Sequence, residues 1–315
     1  VKLAVIGMGG VGGYIGGLLA KARHDVTYIA RGTTLEMIRT KGLQVHSELH
    51  GSFIAQPSMI TQDVEKIGIV DAVFVCVKGY SIESAYQSIK PIVGKNTLVI
   101  PLLNGVGIST KLKGLLGKGI VLDGCMYITS EAIEPGVISQ RDKYNKIVIG
   151  GKNLDTVSLA KIEQLAAIIR KSGIECIVSN DVEADIWAKY NFNCAFSVVT
   201  ALYGINAGEL RADPKKVEML QALSQEAAKV AKALGISQPE DIVERSMKIM
   251  WVMKDEGTSS LKRDIQAGAN SEAELFSGEI CRLAATCGVE VPVSCRAYEE
   301  LKCKIQGVTN IDSNR

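Results

Sequence analysis

Residues 2–13 read "KLAVIGMGGVGG". Leu3, Ala4, Val5 and Ile6 form a continuous apolar run ended by glycine, the pattern of a strand covered on both faces. Glycines then fall at 7, 9 and 12, a G-x-G-x-x-G spacing, and an apolar helical pattern follows over 10–23. Gly7 permits a tight turn, Gly9 lets the backbone approach a pyrophosphate, and Gly12 lets helix and strand close together. The first-turn N–H groups of that helix favour negative charge at the same place. A glycine loop that follows a strand and opens a helix predicts dinucleotide binding, with Met8, Gly10 and Val11 completing the loop.

Outward from this loop the first half alternates short apolar runs with helical patterns. "DVTYIA" (25–30), "DAVFVCVK" (71–78), "NTLVIPLL" (96–103) and "GIVLDGCMYIT" (119–129) read as a series of parallel strands. "GVISQRDKYNKIVIGG" (136–151) reads as a hairpin added at the edge. A helix over 154–173 ends at Gly173, and "IECIVSN" (174–180) reads as the last strand. Beyond it, 181–203, 215–235, 239–255 and 271–288 all show helical spacing of apolar residues, with no strand pattern. Pro239 and Pro292 fall at helix starts, and Gly235 and Gly288 follow helix ends. The fold class expected is α/β: a doubly wound sheet of the Rossmann type over 1–178, then an all-helical domain over 179–315. The boundary near "SNDVE" carries no linker composition.

At 315 residues, 47% hydrophobic and 22% charged, the chain has the balance of a globular protein. A formal charge of +2 provides no field to gather nucleic acid or anionic lipid. No apolar run has the length of a membrane span and no leader precedes the first strand, so the cytoplasm is the expected location. The eight cysteines form no Cys-x-x-Cys pair and are expected to be reduced and structural. All three histidines lie within the first fifty residues, and no His/Asp/Glu cluster has metal-ligand spacing. The apolar C-terminal helices permit a homodimer without requiring one.

The second strand ends "YIARG". An NAD-binding domain carries an acid there for the ribose 2′-hydroxyl, whereas Arg31 can pair with a 2′-phosphate. The expected cofactor is therefore NADP(H); a solvated arginine at a strand end is the alternative. Ligands of open α/β sheets lie beyond the carboxyl ends of the strands. Lys78, ending "VFVCVK", and Asn104, in "LLNGVG", fall there, either as loop residues or facing cofactor and substrate.

"DIWAKYNFNCAFSVVTALYG" (185–204) is an apolar helix that carries Lys189, Asn193 and Ser197 four residues apart. The three share one face, and Asn191 points away from it as a structural residue. Either Lys189 packs its stem and sends its ammonium to solvent, or it serves chemistry. Hydride transfer to a carbonyl forms an alkoxide that needs a proton, usually from His, Tyr or Lys. With no histidine after residue 50, Lys189 is the best-placed donor. The Tyr-x-x-x-Lys pairs Tyr86/Lys90 and Tyr298/Lys302 do not occupy the place that such an acid needs.

In order along the chain, "GMGGVGG", Arg31, "CVK", "LLNGVG", "WAKYNFN" and "GTSSLKRDIQAGANSEAE" resemble the ketopantoate reductase (2-dehydropantoate 2-reductase) family over essentially the full length. The resemblance implies NADPH-dependent reduction of a small 2-keto acid to a 2-hydroxy acid, as in pantothenate synthesis. It implies that Lys189 is the general acid, that Asn193 binds substrate, and that Asn104 serves both nicotinamide and substrate. It further implies that Ser260 holds the substrate carboxylate, that Glu272 contacts cofactor or the lysine, and that Lys78 contacts cofactor. Ser259 or Ser260 could instead be only a helix cap. Burial would lower the Lys189 pKa and the Glu272 carboxylate would raise it. One departure stands out: Ser197 replaces a second asparagine that ketopantoate-reducing members commonly carry, which leaves the reaction type and opens the choice of 2-keto acid. A 6-phosphogluconate-type β-hydroxyacid dehydrogenase also pairs a nucleotide domain with a Lys-x-x-x-Asn helix, but Arg31 and the TSS…E segment argue against it. A non-catalytic NADP(H)-binding regulator is disfavoured by the intact Lys189 and Asn193.

Overall fold

The computed structural model describes the backbone of residues 1–312 and the side chains of residues 1–307. Two compact units divide the chain, Val1–Val182 and Glu183–Arg315. The last three positions of the expected 179–315 domain lie outside the described residues.

The first unit runs β1 (Lys2–Ile6), α1 (Gly10–Lys21), β2 (Asp25–Ile29), α2 (Gly32–Lys41), β3 (Leu43–Ser47), β4 (Gly51–Ala55), β5 (Met59–Thr61) and β6 (Ala72–Val75). It continues α3 (Ile82–Ile89), β7 (Leu98–Pro101), α4 (Ile108–Leu116), β8 (Ile120–Val121), β9 (Asp123–Glu134), β10 (Val137–Gly150), α5 (Thr156–Lys171) and β11 (Glu175–Val178). Six strands form one parallel sheet in the order β5-β2-β1-β6-β7-β8. Its strands are apolar on both faces because each face has its own core. Leu3 and Val5 of β1 enter the core shared with α1 and α5, while Ala4 and Ile6 enter the core under α3 and α4. Phe74 and Val73 of β6 divide in the same way. The winding reverses between β1 and β6, which opens a crevice at their carboxyl ends.

Outside this sheet the sequence reading needs correction. Residues 136–151 are not a hairpin: β10 is one fourteen-residue strand. It joins a second sheet of order β11-β10-β3-β4, and β9 runs antiparallel along it. The polar run Arg141–Asn145, which has turn composition, is an irregularity within the strand: the β9 register shifts between Arg141 and Lys146, and Asp142 takes φ +70°. The Gln140 amide donates to the Arg141 and Asp142 carbonyls, both at 2.7 Å, so these displaced backbone groups still find partners. Residues 119–129 likewise divide, β8 ending the first sheet and β9 beginning in the second. The strands β3, β4 and β5 are too short and mixed in polarity to stand out in the sequence.

The second unit is helical throughout its described residues: α6 (Val182–Tyr203), α7 (Ala207–Arg211), α8 (Pro214–Ala233), α9 (Ile242–Val252), α10 (Ser260–Gln266), α11 (Glu279–Cys287) and α12 (Pro292–Asp312). A π-helical turn, Glu274–Gly278, leads into α11. Buried and half-buried charges cap these helices. The Glu226 carboxylate accepts from Val293 N at 2.9 Å and Ser294 N at 2.7 Å, closing the start of α12. Lys304 donates to the Ala201 and Leu202 carbonyls at 3.0 and 2.8 Å, placing a cation at the C-terminus of α6. Burial lowers the Lys304 pKa.

Candidate active site

In the first unit the predicted cofactor residues gather along the carboxyl edge of the parallel sheet. Gly7 follows β1 with φ +92°, and a β-carbon there would lie 2.7 Å from the Cys76 carbonyl carbon after β6. A β-carbon on Gly12 would collide with the Gly7 carbonyl oxygen. Both positions therefore need glycine for the turn itself. Gly9 differs: it caps α1, and nothing lies within 4 Å of where its β-carbon would stand. The helix has no acidic residue in its first turn and no side-chain cap, so its N–H groups are available to an anion. Open space, free donors and no competing carboxylate suit a pyrophosphate. A β-carbon on Gly10 would stand 2.5 Å from the Ser130 carbonyl oxygen of β9, so glycine there lets α1 pack close to that strand. Met8 is buried and Val11 packs against the core.

Arg31, exposed at the N-cap of α2, stands just beyond β2; the first turn of α2 carries no acid. Lys78 is half-buried and caps a short 3-10 turn after β6. Asn104 is half-buried after β7, where Gly105 (φ +98°) and Gly107 (φ +72°) turn the chain into α4.

In the second unit, Lys189 and Asn193 are half-buried on α6 and Ser197 is buried. Asn191 is fully buried within a closed network. Its amide donates to Ser224 O at 2.9 Å, and its Oδ1 accepts from Ser224 Oγ at 2.5 Å and Ser246 Oγ at 2.8 Å. That residue ties α6 to α8 and α9, on another face from Lys189. Tyr190 donates its hydroxyl to Leu275 O at 2.7 Å, and burial pushes its pKa far above the ordinary phenol range. Its proton is committed, which leaves it unsuited to acid catalysis.

The serine pair divides. Ser259 is buried and caps α10: its hydroxyl accepts from Lys262 N at 3.1 Å and meets Thr200 Oγ1 at 2.8 Å. Ser260, the first residue of α10, is half-buried. Glu272 is buried just before the π-helical turn, a form of helix often found at functional sites. The two Tyr-x-x-x-Lys pairs are accounted for elsewhere. Tyr86 is buried beneath the parallel sheet, and Tyr298 donates to the Glu274 carboxylate, which together with burial raises its pKa to about 12.

Two features of this site were not read from the sequence: the Thr200–Ser259 bond and the Tyr190–Leu275 bond. Thr200 continues the polar strip three residues past Ser197, a spacing that could have drawn notice. No helix in the described residues is long and apolar enough to cross a membrane, and no group of three or more His, Cys, Asp or Glu among them could hold a metal ion.

Comparison with known proteins covers both units. The family model described as Ketopantoate reductase PanE/ApbA matches residues 3–153, and that described as Ketopantoate reductase PanE/ApbA C terminal matches residues 181–304. An uncharacterized oxidoreductase, YkpB of Bacillus subtilis, is 30% identical, over 96% of this chain and 98% of its own length. A 2-dehydropantoate 2-reductase of Halobacterium salinarum is 28% identical, over 93% of this chain and 95% of its own. The crystal structure of a PanE/ApbA family ketopantoate reductase from Ralstonia eutropha JMP134 superposes with a TM-score of 0.89 at 28% identity, covering 98% of this chain and 100% of that one.

Proposed function

Because this chain belongs to the ketopantoate reductase family of oxidoreductases, we propose that it reduces a 2-keto acid to the 2-hydroxy acid with NADPH, with ketopantoate to pantoate as the first choice. The observation that carries this reading is the polar strip Lys189, Asn193 and Ser197 along one face of α6.

The bound dinucleotide supplies the hydride. Gly9 and the first turn of α1 hold its pyrophosphate, Arg31 pairs with its 2′-phosphate, and Lys78 and Asn104 contact it from the ends of β6 and β7. Ser260 holds the substrate carboxylate through its hydroxyl. Asn193 and Ser197 hold a distal hydroxyl, and Asn104 holds the keto group. Lys189 gives its proton to the alkoxide oxygen as charge develops there, with Glu272 setting its charge state. The setting this implies is pantothenate synthesis in the cytoplasm.

A related reading follows from Ser197. Its hydroxyl is shorter than an asparagine amide and has one donor fewer, so a 2-keto acid with a different distal group would suit it. NADPH oxidation by the purified protein with ketopantoate and a panel of 2-keto acids separates the two. Lys189→Ala is expected to lower kcat for the preferred acid by about 10²–10⁴-fold. Full turnover in folded Lys189→Ala would reduce the lysine to a structural role. Oxidation of 3-hydroxy acids alone would overturn the family reaction in favour of a β-hydroxyacid dehydrogenase.

A further inference from the structure

The N-terminus of α10 is fastened to α6 by a directional chain of hydroxyls. Thr200 is fully buried, and its hydroxyl donates to Phe196 O at 2.7 Å, one turn back. With that proton committed, the 2.8 Å contact to Ser259 requires Ser259 to donate and Thr200 to accept. Ser259 then keeps a lone pair for Lys262 N at 3.1 Å, completing the cap of α10. The Thr200 and Ser259 hydroxyls thus each donate one hydrogen bond and accept another. The bond joins α6 one turn beyond Ser197 to the residue immediately before Ser260.

We infer that Thr200 is a positioning residue: through Ser259 it holds the Ser260 hydroxyl in register with the polar strip of α6. This rests on the reading of Ser260 as the carboxylate holder. A carboxylate bound by the Ser260 hydroxyl is sensitive to small displacements of the helix that carries it, because hydrogen bonds weaken steeply with misalignment. Thr200 touches neither substrate nor cofactor in this scheme. Its hydroxyl sets where the binding group stands.

The test compares Thr200→Val, which keeps the shape and removes the hydroxyl, with Thr200→Ser, which restores it. Steady-state kinetics with ketopantoate and NADPH would be measured beside thermal midpoints. Thr200→Val is expected to raise KM for ketopantoate by about tenfold, the worth of one well-placed hydrogen bond. KM for NADPH should stay unchanged, and Thr200→Ser should recover most of the loss. Should Thr200→Val fold poorly, Ser259→Gly breaks the same bond while glycine still serves as a helix cap. A lower midpoint with KM for ketopantoate unchanged in both variants would overturn the proposal. Ser260→Ala, run alongside, isolates the premise: an unchanged KM there removes the carboxylate role itself, whereas a raised KM there with an unaffected Thr200→Val removes only the positioning role.

Discussion

Arg31 and Lys189 are single cations whose meaning comes from what lies next to them. Arg31 stands where an acid would select against a 2′-phosphate, and α2 offers no carboxylate in its first turn to compete for it. Arg31→Asp replaces a forked donor with a repelling charge. It is expected to shift the NADP(H)/NAD(H) preference in kcat/KM by about 10²-fold or more, since hydrogen bonds to charged groups contribute about 1.5–3 kcal/mol each. An unchanged ratio would return Arg31 to the role of a solvated strand-end residue. At this scale the sequence read well where spacing was enough. Asn191 could be assigned to a structural face from helical geometry alone, and it lies in a buried network with Ser224 and Ser246. Which residues would meet it could not be read, because its partners are 33 and 55 positions away.

The elements divide by how local their cause is. The segment α1 was readable because its glycine spacing serves a turn and a close packing in one place. The strand β10 was not, since its polar centre looks like a turn until β9 and β3 are in place to pair with what flanks it. One consequence of that second sheet can be measured. Asn145 of β10 lies with its Nδ2 2.8 Å from the Tyr14 hydroxyl of α1, 3.0 Å from Gly173 O and 3.3 Å from His50 Nε2. Burial is the main reason the His50 pKa is lowered from 6.5; the charge of Lys21 adds to the shift and a hydrogen bond with the Gly173 backbone opposes it. The folded state thus prefers the neutral ring. Its contribution is fully present above the unfolded value and is lost as pH falls from 6.5 toward the folded one, because the unfolded chain binds the proton first. His24, lowered chiefly by burial, acts in the same direction. Urea midpoints are expected to fall across that window and to fall less in His50→Gln. Parallel slopes for the two proteins would show that this ring does not contribute.

For the molecule as a whole, cofactor choice should register as stability. A ligand that binds only the folded state at one hundred times its Kd adds about 2.7 kcal/mol. NADP⁺ is therefore expected to raise the thermal midpoint of the transition that includes the first unit, and equal concentrations of NAD⁺ to raise it much less. Equal shifts would remove Arg31 from cofactor selection. By itself the sequence determined the central strands β1, β2, β6 and β7, the glycine loop after β1, the change to helices near residue 180 and the polar strip on α6. All of these are written in near-neighbour periodicity, which the backbone imposes on any chain that forms strands or helices. Only the tertiary structure decided that β10 is one strand in a second sheet, that Gly10 serves packing while Gly9 stays open, and that Ser259 is spent on a cap bound to Thr200 while Ser260 is not. Each of those depends on a group brought from far along the chain, and a hydrogen bond or a steric limit exists only once both of its atoms are in place.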